Sequence, residues 1–311
     1  MIKYILLACA CMPLALTAQK IAYNIVYNVY EDTARGNYDI YIMNLDGSGK
    51  KNITNHPAVD WVYNTYEDKV FFISDRDTCH RCFFLYEMDA EGNNLRKVSN
   101  LQLEDSWMDS RGNGKEWIVS GRKGKELRAQ LFLLNVTDGS YRQLTTDTAA
   151  LHLDPAFSPD GRQVVFRYKR DRRNRDMATE LWLMNTDGSN LHQLTSYPED
   201  DTTAAWHAYK AGPPRWNHKE DFITYQSLQK SDYHLYAISP DGKKNWKLTS
   251  NNLNEGWHDW SSDGNWLAIE MFDRGQTHFD IYLFNWQTKE LKQLTDSWKF
   301  EQAPSFVKVT L

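Results

Sequence analysis

The sequence has few cysteines, a single apolar run of any length and none of the short motifs that mark common enzyme classes. It contains four cysteines and carries a net charge of −5. It has no G-x-S-x-G elbow, no H-E-x-x-H zinc motif and no phosphate-binding loop, which disfavours α/β-hydrolase, zinc-protease and nucleotide-hydrolysing chemistry. Beyond the N-terminus no apolar stretch approaches the length of a membrane span, so we expect no transmembrane segment. The acidic excess argues against general binding to nucleic acid or to a membrane surface.

The first 19 residues predict a secretory signal peptide. Lys3 gives a positive start, Ile5 to Leu16 are mostly apolar, and the stretch LALTAQ ending at Gln19 offers small residues for cleavage. Cys9 within LLAC also permits a lipoprotein interpretation, which is less favoured because the apolar stretch before Cys9 is very short. We expect residues 20–311 to form one domain that is exported to the periplasm or secreted.

A hairpin pattern recurs six times and organises the rest of the chain. Its clearest copy, Leu181 to Thr195 (LWLMNTDGSNLHQLT), alternates large apolar residues, turns at Asp187-Gly188 and ends in Leu-Thr. Alternation of period two marks a half-buried strand, and Asp-Gly between two such runs predicts a hairpin. Repeats of 45 to 54 residues built from strands and tight turns are typical of β-propellers. The six copies begin at Ile40, Leu85, Leu131, Leu181, Leu235 and Ile281.

Shorter segments between the hairpins supply two more strands for each repeat. Asp154 to Phe166 (DPAFSPDGRQVVF) and Trp257 to Ile269 (WHDWSSDGNWLAI) each contain a strand, a polar turn and a second strand. We therefore predict an all-β fold, a six-bladed β-propeller of four-stranded antiparallel blades. The N-terminal blade lacks its first strand, and Gln302 to Val309 (QAPSFVKV) is a matching strand with nothing after it. Pairing it beside Ile21 to Asn28 would close the ring and remove both open sheet edges.

These repeats resemble the WD-like propeller repeat of the TolB family. The resemblance rests on the pattern P-x-F-S-P-D-G-x-x-x-x-F followed by L-W-x-M-N-x-D-G-x-x-x-x-L-T, carried best by Pro155 to Phe166 and Leu181 to Thr195. It implies a TolB-like six-bladed propeller without the α/β domain that precedes the propeller in that family. Related repeats also occur in the propellers of prolyl-oligopeptidase-type enzymes and in oligogalacturonate-lyase-like proteins.

Residues that recur with the repeat are interpreted as structural. Asp160 and Asp263 each lie two residues after a serine in turns that end in glycine, so we interpret them as turn-formers and not as catalytic groups. One aromatic in the first strand of each blade is interpreted as core between blades. This set comprises Trp61, Trp107, Phe157, Trp216, Trp260 and Phe306.

Departures from the repeat indicate a binding face. The linker from Thr195 to Trp216 is the longest that enters a first strand, and long loops on a rigid scaffold often carry binding residues. Polar residues also gather just before the first strands, where they would ring the mouth of the central channel. The predicted ligand-binding residues are Asp60, Asp105, Asp154, Trp206, His207, Arg215, His258 and Asp259.

Carboxylates and histidines at one mouth would also suit a divalent metal ion. Cys79 and Cys82, spaced C-x-x-C, predict a local disulfide in an oxidising compartment. We expect a binding or scaffolding module for a protein partner or for a carbohydrate or peptide ligand. The alternative is a metal-dependent lyase or hydrolase acting on a polysaccharide or oligosaccharide, as the oligogalacturonate-lyase-like relatives imply.

Overall fold

The computed structural model describes residues 21–32, 34 and 36–310, and the predicted signal peptide at residues 1–19 lies outside them. The described chain folds into six antiparallel sheets, blades 1 to 6, and the predicted six-bladed β-propeller is confirmed. Blade 1 runs from the channel outward as Glu301–Thr310 (β25), Ile21–Asp32 (β1), Asn37–Asn44 (β2) and Lys51–Asn52 (β3). Blade 2 contains Asp60–Tyr66 (β4), Lys69–Ser74 (β5), Phe84–Asp89 (β6) and Arg96–Lys97 (β7).

The remaining blades repeat this order, with one exception. In blade 3 the inner strand is broken into Gln102–Leu103 (β8) and Asp109–Arg111 (β9), and both pieces pair with Glu116–Lys123 (β10). Leu127–Asn135 (β11) and Tyr141–Gln143 (β12) complete that blade. Blade 4 contains Leu151–Phe157 (β13), Gln163–Lys169 (β14), Glu180–Asn185 (β15) and His192–Gln193 (β16).

The last two blades are regular. Blade 5 contains Arg215–Asn217 (β17), Phe222–Gln229 (β18), Asp232–Ile238 (β19) and Asn245–Lys247 (β20). Blade 6 contains Asn254–Trp260 (β21), Trp266–Phe272 (β22), Phe279–Asn285 (β23) and Leu291–Gln293 (β24). Among the described residues no helix is long and apolar enough to cross a membrane.

The predicted ring closure is confirmed. β25 pairs antiparallel with β1, from Ile21 opposite Thr310 to Val29 opposite Glu301. The last strand of the chain therefore serves as the inner strand of the first blade. Because both strands pair along most of their length, neither end of the chain leaves an open sheet edge inside the ring.

Apolar side chains fill the spaces between neighbouring blades. One core cluster, for example, joins Val26 and Ile40 of blade 1 to Val70 and Phe72 of blade 2. Comparable clusters join the other neighbouring blades, and the one between blades 2 and 3 extends to the channel axis. A single blade could not bury its two faces alone, so blade contacts and the closed ring stabilise each other.

The Leu-Thr ending of the hairpin pattern has a structural cause. The hydroxyl of Thr195 accepts a hydrogen bond from the backbone N–H of Leu181 at 2.8 Å, which ties the end of the outer strand to the start of the third. Thr54, Thr145 and Thr295 make the same contact in their own blades, at 2.8–2.9 Å. The threonine makes this contact in four of the six blades, where the outer strand has only two or three residues, and edges this short resist pairing with other chains.

Candidate functional site

The ring has two faces, which carry different sets of loops. The upper face carries the loops that enter the inner strands and the loops between second and third strands. The lower face carries the turns that leave the inner strands and the hairpin turns near the rim. This division follows from the antiparallel order of the strands in every blade.

The inner-strand register differs from the sequence prediction in two blades. Phe157, Trp216, Trp260 and Phe306 occupy equivalent positions on their inner strands, as predicted. Each pairs with a second-strand residue that lies opposite the end of the third strand. In blades 2 and 3 that position belongs to Thr65 and Ser110. Trp61 and Trp107 lie four and three residues nearer the upper face, although both still belong to the core cluster between blades 2 and 3.

The displaced tryptophans form an aromatic plug on the channel axis. The plug consists of Trp61, Tyr63, Trp107 and Trp257, whose neighbouring ring centroids lie 5.0–6.5 Å apart. The contact between Trp107 of blade 3 and Trp257 of blade 6 spans the axis, since those blades face each other across the ring. The plug separates an upper channel mouth from a lower one.

Arg215 lies against the plug from blade 5. Its guanidinium carbon lies 3.7 Å from the ring centroid of Trp107, and its Nη2 donates to the carbonyl oxygen of Tyr63, opposite it across the ring, at 3.0 Å. Its Nε donates to the carbonyl oxygen of His258 at 3.3 Å and lies 3.6 Å from Asp259 Oδ1. A planar, permanently charged guanidinium with several donors suits this combination of stacking and donation to two carbonyl oxygens.

The lower mouth is a pocket of about 230 Å3 on the axis, with Arg215 on its wall. All six blades contribute to its lining. On each inner strand, one residue precedes the position shared by Phe157, Trp216, Trp260, Phe306, Thr65 and Ser110. In blades 1 to 6 these preceding residues are Ser305, Asn64, Asp109, Ala156, Arg215 and Asp259. All but Ser305 line the pocket. The pocket is therefore built from equivalent positions, with a different side chain in each blade.

Three carboxylates line the pocket, and two of them, Asp109 and Asp259, are held by backbone donors from neighbouring blades, while Glu67 pairs with Lys308. Asp259 Oδ2 accepts from the N–H of Phe306 at 3.0 Å, and Asp109 Oδ2 accepts from the N–H of Phe157 at 2.8 Å. Asn64 Nδ2 donates to Asp109 Oδ1 at 3.2 Å. Burial raises the pKa of Asp259 to about 6, although Arg215 acts in the opposite direction. Near neutral pH the pocket thus offers carboxylate acceptors beside a buried cation.

Aromatic and hydroxyl groups form much of the rest of the lower mouth. Trp216, Trp260 and Phe306 supply apolar surface, while exposed His218 and Ser262 stand at the opening. Ser262 Oγ shares a hydrogen bond with the Tyr23 hydroxyl at 2.7 Å. This combination of apolar walls and a few fixed polar groups suits binding.

The structure divides the eight sequence-predicted site residues among several places. Arg215 and Asp259 lie together at the lower mouth, on the face opposite the predicted one. Asp60 is buried in a pair with Arg76 at 2.5 Å. Asp105, near the upper mouth, is paired with Arg81 and accepts from the Tyr63 hydroxyl.

Asp154 links blade 4 to blade 3 through hydrogen bonds. Its Oδ1 accepts from the N–H of Trp107 at 2.9 Å and from the Ser106 hydroxyl at 3.1 Å, and its Oδ2 lies 2.8 Å from Arg167 Nη1. Since its oxygens are occupied by blade 3 and by Arg167, its contacts serve the packing of the ring.

The predicted histidines do not meet. His258 is buried, with Nε2 2.7 Å from Thr224 Oγ1, and burial together with the charge of Arg215 lowers its pKa to about 3. His207 is exposed on the loop between β16 and β17, beside Trp206, which is 64% exposed. Within the described parts of the chain, no three His, Cys, Asp or Glu side chains are grouped so that they could hold a metal ion. The residues present therefore do not fit the divalent metal site that the sequence suggested.

The upper face also carries the C-x-x-C pair. Cys79 and Cys82 are joined by a disulfide, with their Cα atoms 5.2 Å apart, in the loop between β5 and β6. The loop places Arg81 where it can pair with Asp105 of blade 3.

Sequence reasoning missed Asn64 and Asp109. The signal for Asp109 was present in the turn length, since Phe157, Trp216 and Trp260 each lie six residues before the first residue of the second strand. Glu116 is the first residue of β10, and Ser110 lies six residues before it. The residue before Ser110 is Asp109, which would then face the channel. Asn64 gave no such signal, because blade 2 has a shorter turn between β4 and β5.

Comparisons with known proteins agree with this architecture. The TolB beta propeller domain matches residues 28–210, which is more than half of the chain. The chain is 25% identical over 185 residues to Tol-Pal system protein TolB of Anaeromyxobacter dehalogenans (strain 2CP-C), an alignment that covers 58% of this chain and 40% of that protein. It thus spans well under half the length of that curated relative.

Solved structures show the same fold at low sequence identity. TolB from Acinetobacter baumannii superposes with a TM-score of 0.69 at 12% identity, covering 91% of this chain and 66% of that one. An oligogalacturonate lyase in complex with manganese superposes with a TM-score of 0.55 at 14% identity, covering 87% and 78%. At these identities the two structures establish the fold alone. Because the domain match extends over more than half of its length, the chain belongs to the TolB β-propeller domain family.

Proposed function

We propose that the protein is an exported binding module, periplasmic or secreted, that takes a short segment of a protein partner into its lower channel mouth. The observation that carries this proposal is the axial pocket lined by all six blades, whose wall includes Arg215, the residue that stacks on Trp107 of the plug. The Tol-Pal system named for its curated relative supports a periplasmic setting. The signal-peptide pattern at residues 1–19 supports export.

The size of the pocket favours a side chain or chain end over a larger ligand. Its volume of about 230 Å3 lies below the roughly 300–1,000 Å3 of typical sites for drug-sized ligands. Asp109 and Asp259 offer acceptors to a donor such as an amine or a backbone N–H, while Trp216 and Trp260 offer apolar contact. A segment that presents a donor at its tip and apolar atoms behind it would match this lining.

The alternative of a metal-dependent lyase has less support. It needs several ligands at one point, and the buried ring of His258 lies against Thr224 whereas His207 lies beside the exposed Trp206. We therefore propose binding without a metal-assisted reaction.

Photo-crosslinking in the producing cells tests the proposal. A photoreactive amino acid is placed singly at His218 or at Ser262, both exposed at the opening. A matched control is Asp187, which is exposed on the same face but lies in the hairpin turn near the rim. We expect one discrete protein adduct from His218 and Ser262 and none from Asp187.

Asp259 supplies a second readout in the same assay. Because its pKa is raised to about 6, its carboxylate is lost as the pH falls through about 6. The adduct should weaken over that range and in Asp259→Asn at neutral pH. Equal adducts from His218, Ser262 and Asp187, or no adduct from either His218 or Ser262, would contradict the proposal.

A further inference from the structure

A groove on the upper face concentrates positive charge in a protein whose net charge is −5. We name it the arginine groove and define it by Lys125, Arg128, Arg172 and Arg173 at its rim, with Ala129, Leu151 and Leu153 as its floor. It lies between blades 3 and 4 and has a volume of about 560 Å3. The lower mouth lies on the opposite face, so the two sites share no residue.

Most of the positively charged side chains of this groove form no ion pair within the described part of the protein. Glu104, one of two carboxylates in the lining, is already bonded to Arg122 at 2.5 Å and to the N–H of Ala129 at 3.2 Å. The other, Asp105, is occupied by Arg81 and Tyr63. Arg128 lies 3.6 Å from Glu104 through its Nε alone. Lys125, Arg172 and Arg173 have no ion-pair partner among the described residues, so their charges are open to an external anion.

The residues on the floor of the groove favour one class of anionic ligand over another. Ala129 is buried, while Leu151 and Leu153 are half-buried, and the lining contains no aromatic ring. An acidic glycan would find no ring on which to stack a sugar. A peptide that alternates carboxylates with small or aliphatic side chains would place its carboxylates on the guanidinium groups and its apolar groups on the leucines.

The same loop carries a feature typical of protein interfaces. Arg175 lies two residues beyond Arg173, and its guanidinium covers one face of Trp206 at 4.9 Å from the ring centroid. Trp206 is nevertheless 64% exposed. Tryptophan and arginine are the residue types most enriched among energetically dominant interface positions. The exposed indole therefore supports a protein partner on this part of the upper face.

We propose that the arginine groove is a second binding site, which takes an extended acidic segment of a protein. It is independent of the site proposed for the lower mouth and would remain if that site proved inactive. Attraction between unpaired surface cations and a carboxylate-rich segment raises the association rate and weakens with salt.

Fluorescence anisotropy on the full exported domain tests the proposal. The probe is a labelled synthetic peptide that alternates glutamate and leucine, and the reference peptide carries glutamine in place of each glutamate. We expect the acidic peptide to bind the parent protein at low ionic strength, with the glutamine peptide bound at least tenfold more weakly. The double variant Arg172→Gln/Arg173→Gln should weaken binding roughly tenfold or more, since it removes two charge-assisted contacts.

Arg162→Gln is a single-charge control outside the groove. Arg162 also lies in blade 4 and its side chain is 86% exposed, but it stands in the lower-face turn between β13 and β14. This variant removes one positive charge from the same blade and should bind the acidic peptide within twofold of the parent. Circular dichroism melting of all variants checks that each is folded.

Three results would overturn the proposal. The first is equal binding of the acidic peptide by the parent and the double variant, and the second is equal binding of the acidic and glutamine peptides. The third is binding of oligogalacturonate, sensitive to the double variant, without binding of the acidic peptide, which would assign the groove to an acidic glycan. The Asp259→Asn variant, which should lose lower-mouth crosslinks, should bind the acidic peptide as the parent does. Failure of one proposal can therefore be distinguished from failure of the other.

Discussion

At the scale of single residues, buried side-chain oxygens join neighbouring blades by accepting backbone N–H groups. Asp154 accepts from Trp107, and Asp109 accepts from Phe157, so blades 3 and 4 are linked in both directions. Asn28 of blade 1 accepts from the N–H of Val62 of blade 2 at 2.7 Å. A buried N–H left without an acceptor costs about 1–3 kcal/mol, so each of these contacts fixes a blade against its neighbour.

Replacing Asp154 with alanine should destabilise the ring. The change removes the acceptor for Trp107 and Ser106 and leaves the partly buried guanidinium of Arg167 without its carboxylate. We expect the free energy of unfolding to fall by about 2–4 kcal/mol, as measured by urea denaturation. Asp187→Ala, in an exposed turn, is the control and should cost less than about 1 kcal/mol. Similar midpoints for both variants would show that Asp154 does not hold the blades together.

Replacing Glu270 with glutamine should change how stability depends on pH. Burial raises the pKa of Glu270 to about 8 from 4.5, although the N–H of Ala303, 3.0 Å from Oε2, and the side chain of Gln302 act in the opposite direction. A carboxyl with a raised folded-state pKa contributes stability that is complete below 4.5 and is lost as the pH rises through about 8.

Glutamine keeps an acceptor for Ala303 but does not titrate. The Glu270→Gln variant should therefore gain stability relative to the parent between pH 5 and pH 8, by about 3 kcal/mol at pH 7. Chemical denaturation of both proteins at several pH values measures the difference. Parallel pH profiles would mean that Glu270 has the same pKa in the folded and unfolded states.

At the scale of elements, the sequence predicted strands and turns well and the register of the inner strands less well. The hairpins could be predicted from the sequence because each contains two strands and a turn of nearly constant length. The inner strands were aligned on their aromatic residues, and this failed in blades 2 and 3, where Trp61 and Trp107 pack on the axis. Nothing in a local pattern distinguishes a tryptophan between blades from one that fills the channel. The same limit applies to the candidate site: Asp109 and Asp259 both line the lower mouth, but only Asp259 was among the predicted residues.

The loop between β5 and β6 carries a prediction of its own. Cys79 and Cys82 should be oxidised in the exported protein, because they are bonded in a compact loop that also positions Arg81. Mass spectrometry after alkylation without reduction should find neither cysteine modified, and prior reduction should make both reactive. Two alkylated thiols in the unreduced sample would refute the disulfide.

At the scale of the whole molecule, stability depends on the strand that closes the ring. Truncation after Thr295 removes β25, which supplies the inner strand of blade 1 and also packs against blades 2 and 6. It would expose the edge of β1 and open two interfaces between blades. We expect the truncated protein to lose cooperative unfolding and to aggregate, as followed by size-exclusion chromatography and thermal melting. A monomer with an unchanged melting temperature would contradict this account of ring closure.

The way in which β1 and β25 pair also determines how the molecule responds to mechanical force. The strands are antiparallel neighbours, and Ile21 lies directly opposite Thr310, so both ends of the ring emerge at the same corner of blade 1. Tension applied between these ends runs along the hydrogen bonds of the ladder, because such bonds lie perpendicular to antiparallel strands. The pairs then break one after another, beginning with Ile21 and Thr310, and no large set of bonds is sheared at once. The closed ring would therefore open at low force when pulled by its two ends.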